Sequence, residues 1–425
     1  MTEPLFDMEP LSLFDLPEPT PAPEVEPEPA PPTAPATDPS VTFLHTADWQ
    51  LGMTRRFLAG EAQHTFAASR DAAVVRIGEV AAETGAEFVV VCGDVFDDPR
   101  VSTRIIRRTL DALADYPVPV YLLPGNHDPY DATSVYLSAE FVSACPSNVH
   151  VLRSGGVVRV REGVTIVAAP WHSKHPTADL VAAQLAELGP SDDIRIVVGH
   201  GGLDTLSPNP DPSIVHGAGL DEALAAHLVD YVALGDRHSV TRVGDTGRIW
   251  YSGAPEVTAF DHVEADPGHV LAVTLTRGDE STVDVQRHRV GRWSFRTVRR
   301  DMTGADDVEG LRAELDALPD KPHTVVQLAL VGTLTVAENV ALEELLAEAA
   351  DRFAAVKIWE RHHDLTVVSG ADDLSGLDLQ GYAAQAAAEL AERAAVDADA
   401  GEEDPDAAAA RAALSLLYRL AGSIR

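Results

Sequence analysis

Five short stretches of the chain put side chains able to bind metal ions directly behind apolar runs. They are His45-Thr46-Ala47-Asp48-Trp49-Gln50, Gly93-Asp94-Val95-Phe96-Asp97, Gly125-Asn126-His127-Asp128, Gly199-His200 and Gly235-Asp236-Arg237-His238. Carboxylates, amide oxygens and imidazoles suit manganese, iron, zinc or magnesium, and the lack of cysteine ligands argues against a soft-metal site. Two ions held about 4 Å apart need a bridging ligand, which a carboxylate with two oxygens provides. Such a pair binds a phosphate, activates a water and stabilises the charge that builds on phosphorus. Each stretch alone is a weak signal. Gly-His is commonly a turn, Gly-Asp-x-x-Asp commonly a loop with a helix-capping Asp, and Gly and Asn favour turns in any case. All five in one order, each after an apolar run, point to one shared site, because ligands of open α/β sheets bind beyond the carboxyl ends of the strands.

The elements that must position these residues are legible from Val41 onward. Runs at 41–44, 87–92 and 118–123 are short and rich in Val, Leu and Phe, and read as buried strands. Helical stretches at about 64–84 and 102–114 separate them, which implies βαβ units and a largely parallel sheet. Further strands are expected at 148–153, 156–161, 164–168, 195–199, 230–234, 248–251 and 269–276, forming a second sheet packed on the first. Residues 291–370 read as a smaller α/β unit, with strands at 323–330 and 364–368 and a helix at about 336–350. Residues 376–396 and 405–421 are rich in Ala, Leu and Glu and read as helices.

Composition bounds the rest. The chain has 425 residues, two cysteines (Cys92 and Cys145) and 45% apolar residues, which excludes a disulfide scaffold and fits a globular protein of a reducing cytoplasm. No run of about 18 apolar residues suggests a membrane span. The formal net charge of −35 sits badly with binding to nucleic acid. Part of it lies in residues 1–40, which hold nine acids, twelve prolines and no Lys or Arg, and which read as a disordered tail. Residues 371–425 add an acidic linker and helices. Inside the first tail, Leu11-Ser12-Leu13-Phe14 is an apolar island.

Together the five motifs resemble the calcineurin-like metallophosphoesterases, and within them the SbcD family of DNA-end-processing nucleases. The specific similarity covers about 41–290. It implies an α/β sandwich of two sheets flanked by helices (41–290), a small C-terminal α/β cap domain (291–370) and a helical tail (371–425). It implies two divalent ions, manganese by expectation. One ion would see Asp48, Asp94 and His238, with Gln50 standing where the family has His. The other would see the bridging Asp94 together with Asn126, His200 and Asp236, where Asp replaces the first His of Gly-His-x-His. His127 would protonate or stabilise the leaving oxygen and Asp97 would orient it. Gln50, a neutral oxygen donor, should loosen the first ion. Arg237 reads either as a contact to substrate phosphate or as a partner of a surface acid. His45 reads as a packing or turn residue. His172 and His175 read as an exposed loop, with a place lining the cleft as the alternative. Tyr251-Ser252-Gly253-Ala254-Pro255-Glu256 resembles the stretch that follows the last motif in SbcD-like chains.

The activity so implied is a metal-dependent DNA exonuclease of DNA repair. Its implied partners are DNA, a coiled-coil ATPase like SbcC docking on 376–421, and a second copy of the chain. Leu11–Phe14 resembles the core of a peptide that binds the bacterial sliding clamp, with Pro10 where Gln is preferred; a chance cluster is the alternative. Two rival functions stay open: a phosphodiesterase or pyrophosphatase for a small substrate, and a non-catalytic scaffold for DNA ends or the ATPase.

Overall fold

The computed structural model describes residues 40–207, 211–260, 265–278, 281–368 and 381–394, and the pairs 406–407, 409–410, 413–414 and 416–417. The expected acidic tail and the Leu11–Phe14 island lie outside the described residues.

Along the chain the first elements are β1 (Ser40–Thr46), α1 (Glu61–Thr84), β2 (Val89–Cys92), α2 (Thr103–Ala114), β3 (Val120–Leu123), α3 (Ala139–Ala144) and β4 (Val149–Val151). There follow β5 (Gly156–Arg161), β6 (Val164–Ala168), α4 (Leu180–Leu185), β7 (Ile194–His200), α5 (Gly217–Ala225), β8 (Tyr231–Gly235), β9 (Thr241–Val243) and β10 (Ile249–Tyr251). Next come β11 (His269–Thr276), β12 (Thr282–Arg289), β13 (Ser294–Met302), α6 (Ala305–Ala317) and β14 (Thr324–Thr335). The chain continues through α7 (Val336–Arg352), β15 (Ala355–Ile358), β16 (Asp364–Val368) and α8 (Tyr382–Ala394).

Two six-stranded sheets face one another, in the orders β12-β11-β1-β2-β3-β4 and β5-β6-β7-β8-β10-β9. Their central strands are parallel, and both faces of each are covered, so they read as unbroken apolar runs such as Val89-Val90-Val91-Cys92. Between the sheets, Phe43 and Val90 of the first meet Ile196, Val198 and Tyr231 of the second in one buried cluster. Phe43 stacks on Phe88 with ring centroids 5.2 Å apart, and Tyr231 meets its edge at 5.6 Å. Alternate residues turn outward: Leu44, Val89 and Leu122 lie under α1 and α2, and Val197 and Val232 under α4 and α5.

The assignment of strands to sheets corrects the sequence reading. The strands expected at 148–153 and 269–276 do not join the second sheet. β4 pairs parallel with β3, and β11 pairs antiparallel with β1 from Ser40↔Thr276 to His45↔Leu271. Hydrophobic runs report burial but not the partner strand. The hairpin strand β12 went unread because its alternating exposed positions, among them Asp284, Gln286 and Arg287, break the apolar signal.

The last sheet runs β13-β14-β15, with β16 also on β14, all parallel, and α6 and α7 cover one face. α7 opens with a capping box: the Thr335 hydroxyl accepts from Glu338 N, and Glu338 accepts from Thr335 N. β13 (Ser-Phe-Arg-Thr-Val-Arg-Arg-Asp-Met) escaped the sequence reading because arginines fill its exposed positions. At α8, Ala394 is buried with Val336, Ala410 and Leu414, and Leu390 and Ala391 pack against them. That face packs on Val336 at the start of α7.

The junction between the sandwich and this last unit is built on buried polar groups. Glu256 accepts from the backbone N of Arg292 (2.7 Å) and of Trp293 (3.0 Å). Trp293 donates from Nε1 to Ser69 and meets Phe66 edge-on at 5.0 Å. Arg70 of α1, under the same ring, donates to the carbonyls of Trp49 (3.0 Å) and Val257 (2.7 Å). The Lys357 ammonium lies 4.8 and 4.7 Å from the rings of Phe57 and Phe260. Removing the Glu256 acceptor strands two N–H groups, so Glu256→Ala should cost roughly 2–5 kcal/mol of stability. Glu256→Gln, which keeps one acceptor, should cost less. Urea unfolding of the three proteins compares them, and equal midpoints would show that the junction does not depend on Glu256.

Candidate metal centre

The loops after β1, β2, β3, β7 and β8 meet at one edge of the two sheets. Backbone bonds tie the first two together: Asp48 N to Gly93 O (3.0 Å), Gln50 N to Asp94 O (2.9 Å) and Leu51 N to Val95 O (2.9 Å). The third is tied by Asp128, fully buried, which accepts from Gly125 N, Phe96 N and the Tyr136 hydroxyl. His127 N donates to Asp94 Oδ1 at 2.9 Å, and Asp236 N donates to the Asp48 carboxylate at 3.1 Å. Six described non-glycine residues have positive φ, and four of them are Asp48, Gln50, Asp94 and Asp236. Backbone strain held in this way clusters at functional sites. A side chain at Gly93 (φ +88°) would put its Cβ 2.1 Å from His200 Nδ1, so only glycine lets this turn pass the imidazole.

Asp48, Asp94 and His200 are 0%, 2% and 2% exposed, and each offers a ligand atom within 4.8 Å of the others. His200 Nδ1 lies 2.7 Å from the Cys92 carbonyl and donates to it, which turns Nε2 toward the acids, 3.5 Å from Asp94 Oδ1 and 3.9 Å from Asp236 Oδ1. Burial opposes a charge on this imidazole, but Asp94, Asp48 and Asp236 outweigh it and carry its pKa up to about 9. Burial pushes the Asp48 carboxyl above its usual range; the Asp94 and Asp236 charges add to this, and His238 and His200 oppose it. Such a group of acids demands positive charge. Asn126 Oδ1 lies 2.7 Å from His200 Nε2 and 3.2 Å from both Asp94 oxygens, and the reversed amide would donate to the same atoms. Gln50 Oε1 is buried without a hydrogen-bond partner. Carboxylates, amide oxygens and an imidazole lone pair directed at one point fit a hard or borderline divalent ion.

The other expected residues fall around this centre. Asp236 stands at the mouth with its side chain 39% exposed. His238 contacts Gln50 through Nε2 (3.1 Å) and Thr258 Oγ1 through Nδ1 (2.7 Å). His127, 41% exposed, holds Nε2 4.0 Å from Asp94 Oδ2. Its Nδ1 donates to the backbone carbonyl of Asp97 at 2.8 Å, so it is the main chain of Asp97 that meets the ring. Arg237 turns its Nε to Thr241 Oγ1 (2.8 Å), a contact neither alternative foresaw. A cleft of about 520 Å³ opens over Asn126 and Asp236, with Lys174 and His175 on its wall. His172 is exposed and bonded to the Arg153 carbonyl. Sequence reasoning missed Thr258 and Trp171, whose Nε1 donates to His200 O at 2.7 Å; no spacing signal marks either.

The profile of the calcineurin-like phosphoesterases matches residues 41–261. The chain belongs to the calcineurin-like phosphoesterase family. These phosphoesterases are hydrolases that work with divalent ions. The chain is 27% identical over 358 residues to the SbcD component of the SbcCD nuclease of Rhodobacter capsulatus, covering 71% of this chain and 84% of that protein. It is 22% identical over 275 residues to the SbcD component of the SbcCD nuclease of Escherichia coli K12, covering 57% and 66%. Among solved structures, a dimetal phosphatase from Danio rerio is similar at a TM-score of 0.35 and 14% identity, over 58% of this chain and 99% of that one. No described helix is long and apolar enough to cross a membrane.

His45, as expected, is a packing residue: Nε2 donates to the Leu234 carbonyl, and Nδ1 accepts from the Tyr231 hydroxyl. Burial lowers its pKa to about 3, from an ordinary 6.5. The unfolded chain therefore binds a proton here that the folded one refuses. Stability should fall by about 1.4 kcal/mol per pH unit as pH drops from 6.5 toward 3. His45→Gln, which keeps a donor and an acceptor, should flatten the slope of unfolding free energy against pH over that window. Gly93→Ala should cost roughly 2 kcal/mol or more, because its Cβ would collide with the His200 ring and alanine would be held at φ +88°; a wild-type urea midpoint would contradict this.

Proposed function

We propose that the chain is an SbcD-like, manganese-dependent exonuclease that hydrolyses DNA phosphodiester bonds in DNA repair, alongside a coiled-coil ATPase like SbcC. The observation that carries the reading is the buried Asp48–Asp94–His200 cluster with His127 beside it. It is supported by the likeness to the SbcD components of SbcCD nucleases along most of their length.

Two divalent ions bound here would neutralise a phosphodiester's charge and supply an activated water. Asp94 would bridge them, with Asp48 and His238 on one side and Asn126, His200 and Asp236 on the other. The chain's own groups do the rest. The Cys92 carbonyl fixes the His200 tautomer, and Thr258 and Gln50 together fix that of His238. The Asp97 carbonyl holds the His127 Nδ1 proton, so Nε2 is the atom on the Asp94 side, 4.0 Å from its carboxylate, and when protonated it would donate to the oxygen leaving phosphorus. Buried walls keep these interactions in a low dielectric.

The net charge of −35 is not spread evenly. Arg287, Arg289, Arg292, Arg296, Arg299 and Arg300 fall within fourteen residues on β12, β13 and the turn between them. Arg300 is half-buried and the other five are exposed. Arg287, Arg292 and Arg300 pair with Asp266, Asp320 and Glu314, and the stretch still supplies exposed cations for a phosphate backbone.

Purified protein with manganese should degrade a linear duplex and also cleave a chromogenic phosphodiester. His127→Ala should lose about 10²- to 10⁴-fold of the rate on duplex. Cleavage of the diester with an untouched duplex would favour the small-substrate phosphodiesterase. Cleavage of neither by metal-replete protein would favour the non-catalytic scaffold.

A further inference from the structure

Arg70 of α1 is 3% exposed, so its charge has been taken almost wholly out of water. That withdrawal is costly, and a well-packed apolar side chain often serves as well in such a place. What a guanidinium does that an apolar group cannot is hold acceptors at set positions, because its N–H groups form a rigid planar fork. One arm of this fork, Nη1, donates to the carbonyl of Trp49 at 3.0 Å, and the other, Nη2, donates to that of Val257 at 2.7 Å. The Phe66 ring lies against the guanidinium, its centroid 4.8 Å from Cζ.

The two carbonyls belong to loops of different sheets. Trp49 sits between Asp48 and Gln50 in the loop after β1. Val257 lies in the segment after β10, next to Thr258, whose Oγ1 meets His238 Nδ1 at 2.7 Å. The fork therefore spans from the main chain beside Asp48 to the main chain that supports His238, the two side chains that would share one ion. The ligands of the other ion have ties of their own: Asp128 accepts from Gly125 N beside Asn126, and His200 Nδ1 donates to the Cys92 carbonyl.

We propose that Arg70 is a positioning residue for the metal centre: by gripping both carbonyls it sets the spacing at which Asp48 and His238 hold an ion between them. It acts through the main chain of Trp49 and Val257, not as a ligand. This rests on the phosphoesterase reading above, but it concerns what places the Asp48–His238 position, not what is hydrolysed.

Manganese titration of metal-stripped full-length protein by calorimetry, with electron paramagnetic resonance on the same samples, tests this without an activity assay. Arg70→Met keeps the stem of the side chain and removes both donors. In otherwise wild-type protein at two equivalents of manganese, it should replace the spectrum of a coupled pair with that of an isolated ion. A surviving pair would overturn the proposal. Two further backgrounds tell positioning from general support of the fold. Asn126→Ala keeps the Asp48–His238 position, and there Arg70→Met should weaken the remaining ion about 10- to 100-fold, the usual effect of losing a group that orients ligands. His238→Ala keeps the position built on Asn126, His200 and Asp236, and there Arg70→Met should leave the affinity within about twofold, as for independent sites. A cation that only supports the fold acts alike in both backgrounds, so equal losses, or no loss in either, would overturn the proposal. If Arg70→Met folds poorly, Arg70→Lys keeps the charge, lacks the fork and should give the same one-sided pattern at smaller amplitude; the same outcomes decide it. Folded wild type that binds no manganese would bring down the phosphoesterase reading along with this one.

Discussion

Asp48 and Asp94 are almost completely withdrawn from water, lie against each other, and are held on left-handed backbone. Neither their burial nor their conformation is favourable by itself: strained positions of this kind cost roughly 1–3 kcal/mol each. They persist because the two sheets leave the loops no other path. Cys92 and Gly93 end β2 against the second sheet, and there the Cys92 carbonyl meets His200. A Cβ at Gly235 would lie 1.9 Å from that same carbonyl, so the second sheet approaches as closely as glycine allows. The need for positive charge at this point is therefore imposed by the packing of the whole sandwich.

One residue connects that packing to the rest of the molecule. Arg70, buried on α1, bonds to the carbonyl of Trp49, between Asp48 and Gln50, and to that of Val257, beside the Thr258 that holds His238. The same guanidinium lies over Phe66, whose ring meets Trp293 at the start of the last unit. The two loops that define the Gln50–His238 side of the centre and the entry to the small sheet thus share a single buried cation.

Much of the centre was legible in the sequence because its residues follow strands buried on both faces, which leave unbroken apolar runs ending in Gly, Asp, Asn or His. The helices α1, α2 and α7 could be placed for similar local reasons, a periodic face or a capping box. What could not be read was anything set by a distant partner. Nothing in His-Val-Leu-Ala-Val-Thr-Leu-Thr tells that β11 pairs with β1 rather than extending the second sheet. Nothing at Asp97 tells that its carbonyl is what His127 uses. Gln50 was recognised as a departure, but only the side-chain geometry shows which end of its amide faces His238.

That distant pairing also has a consequence in time. Thr42 and Thr274 share a side-chain hydrogen bond although 232 residues separate them. At ordinary rates of synthesis the ribosome needs roughly 10–50 s to travel that far. For that interval β1, the strand that delivers Asp48, has an open edge where β11 will later lie. The nascent sandwich must therefore wait with β1 paired to β2 on one side and its other, apolar edge open.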